Sequence, residues 1–259
     1  AVIADVRALK FKVHVPLADA LWKEAQAARQ AGDTATENIK LWELTHFAPR
    51  GIPAVVRDAR NRLYQISQEA HQAYMQAFTN HLVPGHYEAA SAAFKTIAAK
   101  YPLTEAAEKC LFNAGGALEK ADAPDEALRR YAALLKQYPQ SSLFPITCFK
   151  LACYYQDQKK DYAKAEEYFR LAVDRMPEGP HADLCQYMLG TLFYQTGNFK
   201  RCYEEQKKFL KNYPESDLRA RGLLQVQVIE KNGWKEVTKG EPQVPGKPAA
   251  AKAQEGGKR

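Results

Sequence analysis

The sequence predicts an all-α fold, a solenoid of stacked helix–turn–helix units, and three observations carry that expectation. The first is a fixed period. Pro102, Pro139, Pro177 and Pro214 lie 37, 38 and 37 residues apart, with Tyr101, Tyr138 and Tyr213 in front of three of them and Met176 in front of the fourth. The second is a repeated set of side chains at fixed distances before each proline: Ala90, Phe94, Ile97, then Ala127, Tyr131, Leu134, then Ala165, Phe169, Ala172, then Cys202, Gln206, Phe209. Small, large aromatic and apolar residues suit the narrow, wide and flanking points of two packed helices; Gln206 breaks the series. The third is the stretch from Glu108 to Pro139, which reads as two amphipathic helices joined by a turn. Leu111, Ala114, Gly115 and Leu118 make one apolar, locally small face, and Ala127, Tyr131, Leu134 and Leu135 make a second. Pro124 suits a first helical turn and Pro139 closes the unit. Units of this size cannot bury their own apolar faces and must stack.

These residues resemble the tetratricopeptide repeat, a 34-residue helix–turn–helix unit. Leu189-Gly190 and Ala114-Gly115 fall on its Leu-Gly pair, Tyr155 and Phe193 on the aromatic of its first helix (helix A), and Gly197 on its turn glycine. The departures are a helix A about one turn longer and a tryptophan position held by Leu111, Cys148 and Gln186. The resemblance covers residues 66–233 and implies a right-handed superhelix with helix A on the concave side. The Tyr-Pro junctions at Tyr138-Pro139-Gln140-Ser141 and Tyr213-Pro214-Glu215-Ser216 are similar to those of bacterial envelope proteins of the β-barrel-assembly lipoprotein and Tol-Pal coordinator type.

Taken in order, residues 1–15 form an N-terminal arm. Within it Ala8 to Val15 alternates, Leu9, Phe11, Val13 and Val15 against Lys10, Lys12 and His14, which is the period of a strand. Residues 16–49 make a divergent first repeat with a turn at Gly32-Asp33 and with Glu37 in the slot for a small side chain. Residues 50–70 belong to a bridging helix. The helix-favouring run from Pro53 to Leu82 is one long helix or two with a break near Gln65–Ser67. Four regular repeats occupy residues 71–214. Residues 215–233 supply a capping helix, made more polar by Arg219, Arg221, Gln225 and Gln227. Residues 234–259, rich in Pro, Gly, Ala and Lys, read as a disordered tail.

The net charge of +7 is spread around, with no basic stripe of the kind that marks a nucleic-acid footprint. No nucleic-acid partner is expected. No run approaches the ~18 apolar residues of a membrane helix, and the first residue, Ala1, is not a cysteine that could carry a lipid. An N-terminal residue other than Met would fit removal of a signal peptide. The expected location is therefore periplasmic or envelope-associated, by resemblance, with a cytoplasmic scaffold as the alternative. Five cysteines fall in the repeats and read as small buried thiols packing like alanine. Free thiols suit a reducing compartment better than an oxidising one.

The chain shows no Gly-rich phosphate loop, no H-E-x-x-H and no G-x-S-x-G, and His81 and His86 stand beside a turn without ligands at metal spacing. No catalytic residue, metal or cofactor is expected; a solenoid enzyme acting through a lone Glu is the alternative. The candidate functional element is a surface. Phe112, Phe149, Tyr187 and Leu224 recur at one position of helix A, with Gln156 and Tyr194 further along, and would border a concave groove for a partner protein or peptide. The other reading of the rings is core packing between successive A helices.

Overall fold

In the computed structural model, which describes residues 2–48 and 53–232 with side chains from residue 14 onward, the described residues form eleven α-helices and no strand. They pair as α1 (Val2–Gln30) with α2 (Thr34–Phe47), α3 (Pro53–Ala77) with α4 (Tyr87–Lys100), α5 (Glu105–Lys120) with α6 (Pro124–Gln137), α7 (Phe144–Tyr154) with α8 (Tyr162–Arg175), and α9 (Ala182–Gln195) with α10 (Phe199–Asn212), followed by α11 (Arg219–Lys231). Every pair of helices in substantial contact belongs to one hairpin or to neighbouring hairpins. The molecule is an α-solenoid of helical hairpins. No described helix is long and apolar enough to cross a membrane.

The five hairpin turns share one device. Gly32, Gly85, Asp122, Lys160 and Gly197 all have φ between +53° and +85°, the left-handed conformation that ends a helix and reverses the chain. Backbone bonds close all five turns across the helix end: Asp33 N–H to Ala28 O (2.9 Å), His86 N–H to His81 O (2.9 Å), Ala123 N–H to Leu118 O (2.9 Å), Asp161 N–H to Tyr155 O (2.9 Å) and Asn198 N–H to Phe193 O (2.8 Å). In three hairpins the second helix (helix B) then starts on a side-chain cap: the side chains of Asp33, Asp161 and Asn198 accept from the N–H groups of Thr36, Lys164 and Arg201.

The uneven spacing in the sequence has a structural cause. From the small residue of helix A to that of helix B the count is 12 for Gly115 to Ala127 and for Gly190 to Cys202, but 13 for Ala77 to Ala90 and for Ala152 to Ala165. In the two longer hairpins helix A ends in a π-helical turn, Phe78–Leu82 after α3 and Tyr155–Lys159 after α7. A π turn absorbs one extra residue without shifting the packed face on either side of it.

The alternating segment from Ala8 to Val15 is not a strand; it lies inside α1, with Pro16 also within the helix. A strand needs a neighbour to satisfy its backbone, and the described residues offer none. A helix extended backward from residues 17–30 satisfies each added residue by itself. The boundary expected between residues 70 and 71 falls inside α3, which runs unbroken through Gln65–Ser67. The expected tail, residues 234–259, lies outside the described residues.

Packing is tightest where the sequence is smallest. A Cβ placed on Gly115 would stand 2.5 Å from the Tyr131 ring, one on Gly190 2.5 Å from Gln206 Nε2, and one on Gly222 2.8 Å from the Phe209 ring. Tyr131, Phe94, Phe144, Phe169 and Phe209 are the large side chains of the resulting core. The tyrosine before a closing proline ties its hairpin to the preceding junction: Leu103 N–H donates to Tyr138 Oη (3.2 Å), and Tyr213 Oη–H donates to Pro177 O (2.9 Å). Glu37, which breaks the first repeat's pattern, is 3% exposed and accepts two bonds from Arg62 of α3, at 2.8 and 3.0 Å.

Candidate partner-binding groove

The ring position of helix A is built from the hairpin itself. On each A helix it lies three residues before the small residue against which helix B packs, so the ring meets the aromatic core of its own B helix at the rim of the hairpin. Phe112 meets Tyr131 (centroids 5.8 Å, planes at 51°), Phe149 meets Phe169 (6.2 Å, 54°), and Tyr187 meets Phe209 (5.7 Å, 61°). Aromatic pairs at such separations and inclinations are attractive beyond the area they bury. All three A-helix rings are half-buried. The contacts run across each hairpin.

A fourth rung belongs to the same series. Tyr74 on α3 stacks on Phe94 (5.8 Å, 29°). It stands 28 residues before Pro102, as Phe149 stands 28 before Pro177, so counting back from the first closing proline would have found it. In the last hairpin Gln206 takes the place of the B-helix aromatic. Tyr187 turns to Phe209 instead, and Gln206 Nε2 donates to Tyr187 O and to Gln225 Oε1 of α11.

Between rungs, from α3 onward, each A helix is tied to the next by a polar pair. Asn113 Nδ2 donates to Tyr74 Oη (2.9 Å), Lys150 Nζ to Glu119 Oε2 (2.7 Å), Gln156 Nε2 to Gln195 Oε1 (2.9 Å), and Gln225 Nε2 to Thr191 Oγ1 (3.3 Å). The A-helix side of the stack is thus a row of half-exposed rings separated by polar bridges whose partners lie within the chain.

The other expected groove residues divide. Gln156 is 5% exposed; it joins α7 to α9 and does not border an open groove. The π turn that contains it draws it inward, a displacement that spacing alone does not reveal. Tyr194 is partly exposed and packs edge-on to Phe199 at 5.5 Å. Leu224 holds the ring position on α11 but is 60% exposed, with no helix B described behind it.

Chemistry at this surface is limited by its groups. Burial pushes the thiols of Cys110, Cys148 and Cys202 up to about 12 and that of Cys153 to about 11, so none is a thiolate at neutral pH. All five cysteines are free, and four are fully buried. The two buried glutamates, Glu37 and Glu205, are each held by arginine. Among the described residues no three His, Cys, Asp or Glu side chains gather as a metal ion would require.

No curated protein matches the sequence. Residues 109–141, which span most of α5, all of α6 and the Tyr138-Pro139 junction, match the tetratricopeptide repeat family, whose repeats generally mediate contacts between proteins. The matched unit contains the Phe112–Tyr131 rung and the Gly115 contact, and the flanking hairpins repeat the rung in the same frame with Ala77 and Ala152 in the place of Gly115, so the fold is an all-α solenoid of tetratricopeptide-like hairpins.

Proposed function

We propose that this protein is a non-catalytic scaffold that holds a peptide or helix of a partner protein along its A-helix face. The observation that carries this reading is the row of half-buried rings, Tyr74, Phe112, Phe149 and Tyr187, one in each of the four hairpins from α3 to α10, each backed by an aromatic of its own helix B. A half-exposed ring fixed from behind loses little entropy when a partner covers it, which is what an anchor at an interface needs. The polar bridges between rungs have their partners already, one of them the Tyr74 hydroxyl, so the exposed part of each ring is the apolar contact area.

The finer reading is a role in assembling or organising a bacterial envelope complex, supported by the resemblance of the Tyr-Pro junctions. The five free thiols favour the cytoplasmic alternative. Fractionation of cells making the native protein separates the two, since recovery with the cytosol removes the envelope role.

The groove is tested by selecting binding peptides from a random library and titrating them against Phe149→Ala and Tyr187→Ala. Each variant is expected to weaken binding by ~1–3 kcal/mol while its helical circular dichroism is retained. Selected peptides that bind both folded variants as tightly as the parent would remove the A-helix face from the proposal.

A further inference from the structure

Repeats allow one part of a protein to serve as a template for another, and the clefts between successive B helices differ in an informative way. Between α8 and α10 the cleft is filled by a network of charges. Arg170 Nε donates to Glu166 Oε1 (2.9 Å) and Arg170 Nη2 to Glu205 Oε1 (3.0 Å). Arg201 holds Glu166 through both Nη atoms, Gln186 Nε2 donates to Glu205 Oε2 (3.0 Å), and Lys208 Nζ adds a third cation (3.1 Å from Glu205 Oε1). Two carboxylates lie among these cations. Between α6 and α8 the cleft is apolar, closed by Leu128 and Tyr168 in one cluster with Leu118, Tyr131 and Leu151.

Between α4 and α6 the cleft is open, a cavity of about 330 Å³. Its lining includes Ser91, Lys95, Glu126 and Arg130, and these are the frame equivalents of the network residues. Ser91 and Lys95 stand 11 and 7 residues before Pro102, as Glu166 and Arg170 stand before Pro177. Glu126 and Arg130 stand 13 and 9 before Pro139, as Arg201 and Glu205 stand before Pro214. Both carboxylates of the template are therefore missing here: Ser91 replaces Glu166, and Arg130 replaces Glu205. Two cations remain without the anions that hold their counterparts.

The rest of the lining bears this out. Arg130 Nε is buried and has no hydrogen-bond partner, and neither Arg130 nor Lys95 makes an ion pair among the described residues. The carboxylates that line the cleft, Glu88 and Glu126, sit in the first turns of their helices; Glu126 is 3.6 Å from Arg129 and makes no ion pair with Arg130, four residues on. A buried guanidinium nitrogen without an acceptor is costly, and an entering anion removes that cost.

We propose that the α4/α6 cleft binds a carboxylate supplied from outside the chain, held by Arg130 and Lys95 as the α8/α10 cleft holds Glu166 and Glu205. The site lies on the B helices, apart from the ring ladder of the A helices. Its carboxylate comes either from a small free acid or from an acidic side chain of a partner.

The test is titration of the whole protein, at low ionic strength, with succinate, with a hexaglutamate peptide and with inorganic phosphate. Binding of succinate identifies a free acid as the ligand, and binding of hexaglutamate alone identifies a side chain. In either case Arg130→Gln and Lys95→Gln are expected to weaken binding at least tenfold, and Arg129→Gln to leave it unchanged. Transplanting the network, by Ser91→Glu, Lys95→Arg, Glu126→Arg and Arg130→Glu together, is expected to abolish binding with helical content retained. Binding that survives in the folded transplant or in both single variants overturns the assignment. So does phosphate binding without carboxylate binding, or no binding of any of the three.

Discussion

The Tyr131 ring of α6 lies against the backbone of α5 at Gly115, where a Cβ would stand 2.5, 2.7 and 2.8 Å from ring atoms Cε1, Cζ and Cδ1. One residue on, a Cβ at Gly116 would find only the Tyr131 hydroxyl, at 3.8 Å. The two glycines are neighbours in one helix and should respond oppositely. Gly115→Ala forces the ring or the helix to move and is expected to cost ~1–3 kcal/mol. Gly116→Ala gains helix propensity without a clash and should stabilise by ~0.5–1 kcal/mol. Urea unfolding of the two variants checks this; equal shifts would mean that Tyr131 does not pack there.

A second prediction concerns the turns. Lys160 and Asp122 hold φ of +53° and +56°, where the other three hairpins use glycine. Asp tolerates this conformation better than Lys, because its short side chain can bond locally. Lys160→Gly is therefore expected to raise stability by about 0.5–1 kcal/mol, with a smaller gain for Asp122→Gly, and Gly197→Ala should lower it by about 1 kcal/mol. Thermal melts that rank these variants otherwise would contradict the turn geometry.

The pair that joins the first two hairpins is expected to be costly to break. Glu37 is 3% exposed and takes both its near bonds from Arg62, with Arg29 Nε at 3.8 Å. Removing the guanidinium by Arg62→Met leaves a buried carboxylate without its main partner, at an expected ~3–5 kcal/mol. The double variant Arg62→Met, Glu37→Met should recover much of that loss, since an apolar pair needs no partner. A double-mutant cycle by chemical denaturation measures the coupling, and a purely additive result would show that the two do not interact.

Acid should loosen the α8–α10 cleft. Burial raises the pKa values of Glu166 and Glu205, but hydrogen bonds outweigh it, from Arg170 and Arg201 to the first and from Gln186, Lys208 and Arg170 to the second. Both carboxyls end below their ordinary value. A carboxyl whose folded pKa is depressed stabilises the fold fully above its unfolded pKa, about 4.3 for Glu, and that contribution is lost as pH falls through the folded value. Unfolding midpoints should therefore drop between pH 5 and pH 3 by more in the native protein than in Glu166→Gln, Glu205→Gln. Parallel pH profiles would remove the network from the acid response.

The amino-acid sequence by itself determined the repeating architecture. The 37- and 38-residue spacing of Pro102, Pro139, Pro177 and Pro214 and the small-aromatic-apolar series before them are local patterns, and local patterns decide which face of each helix must be covered. They also placed Phe112, Phe149 and Tyr187 on one helical position, because the frame repeats with the packing. Tertiary structure decided what local pattern leaves undetermined. Ala8 to Val15 alternates like a strand, yet a strand's backbone must be satisfied by a neighbour, and only the fold shows whether one exists. Gln156 sits at a groove position by count, but a π turn draws it inward to Gln195. Glu37 breaks a pattern whose compensation, Arg62, stands on another helix 25 residues away. Ser91, Lys95, Glu126 and Arg130 acquire meaning only when α4 and α6 stand side by side as α8 and α10 do. Burial and charge pairing depend on what arrives from the next hairpin, and the distance that matters there is measured through space.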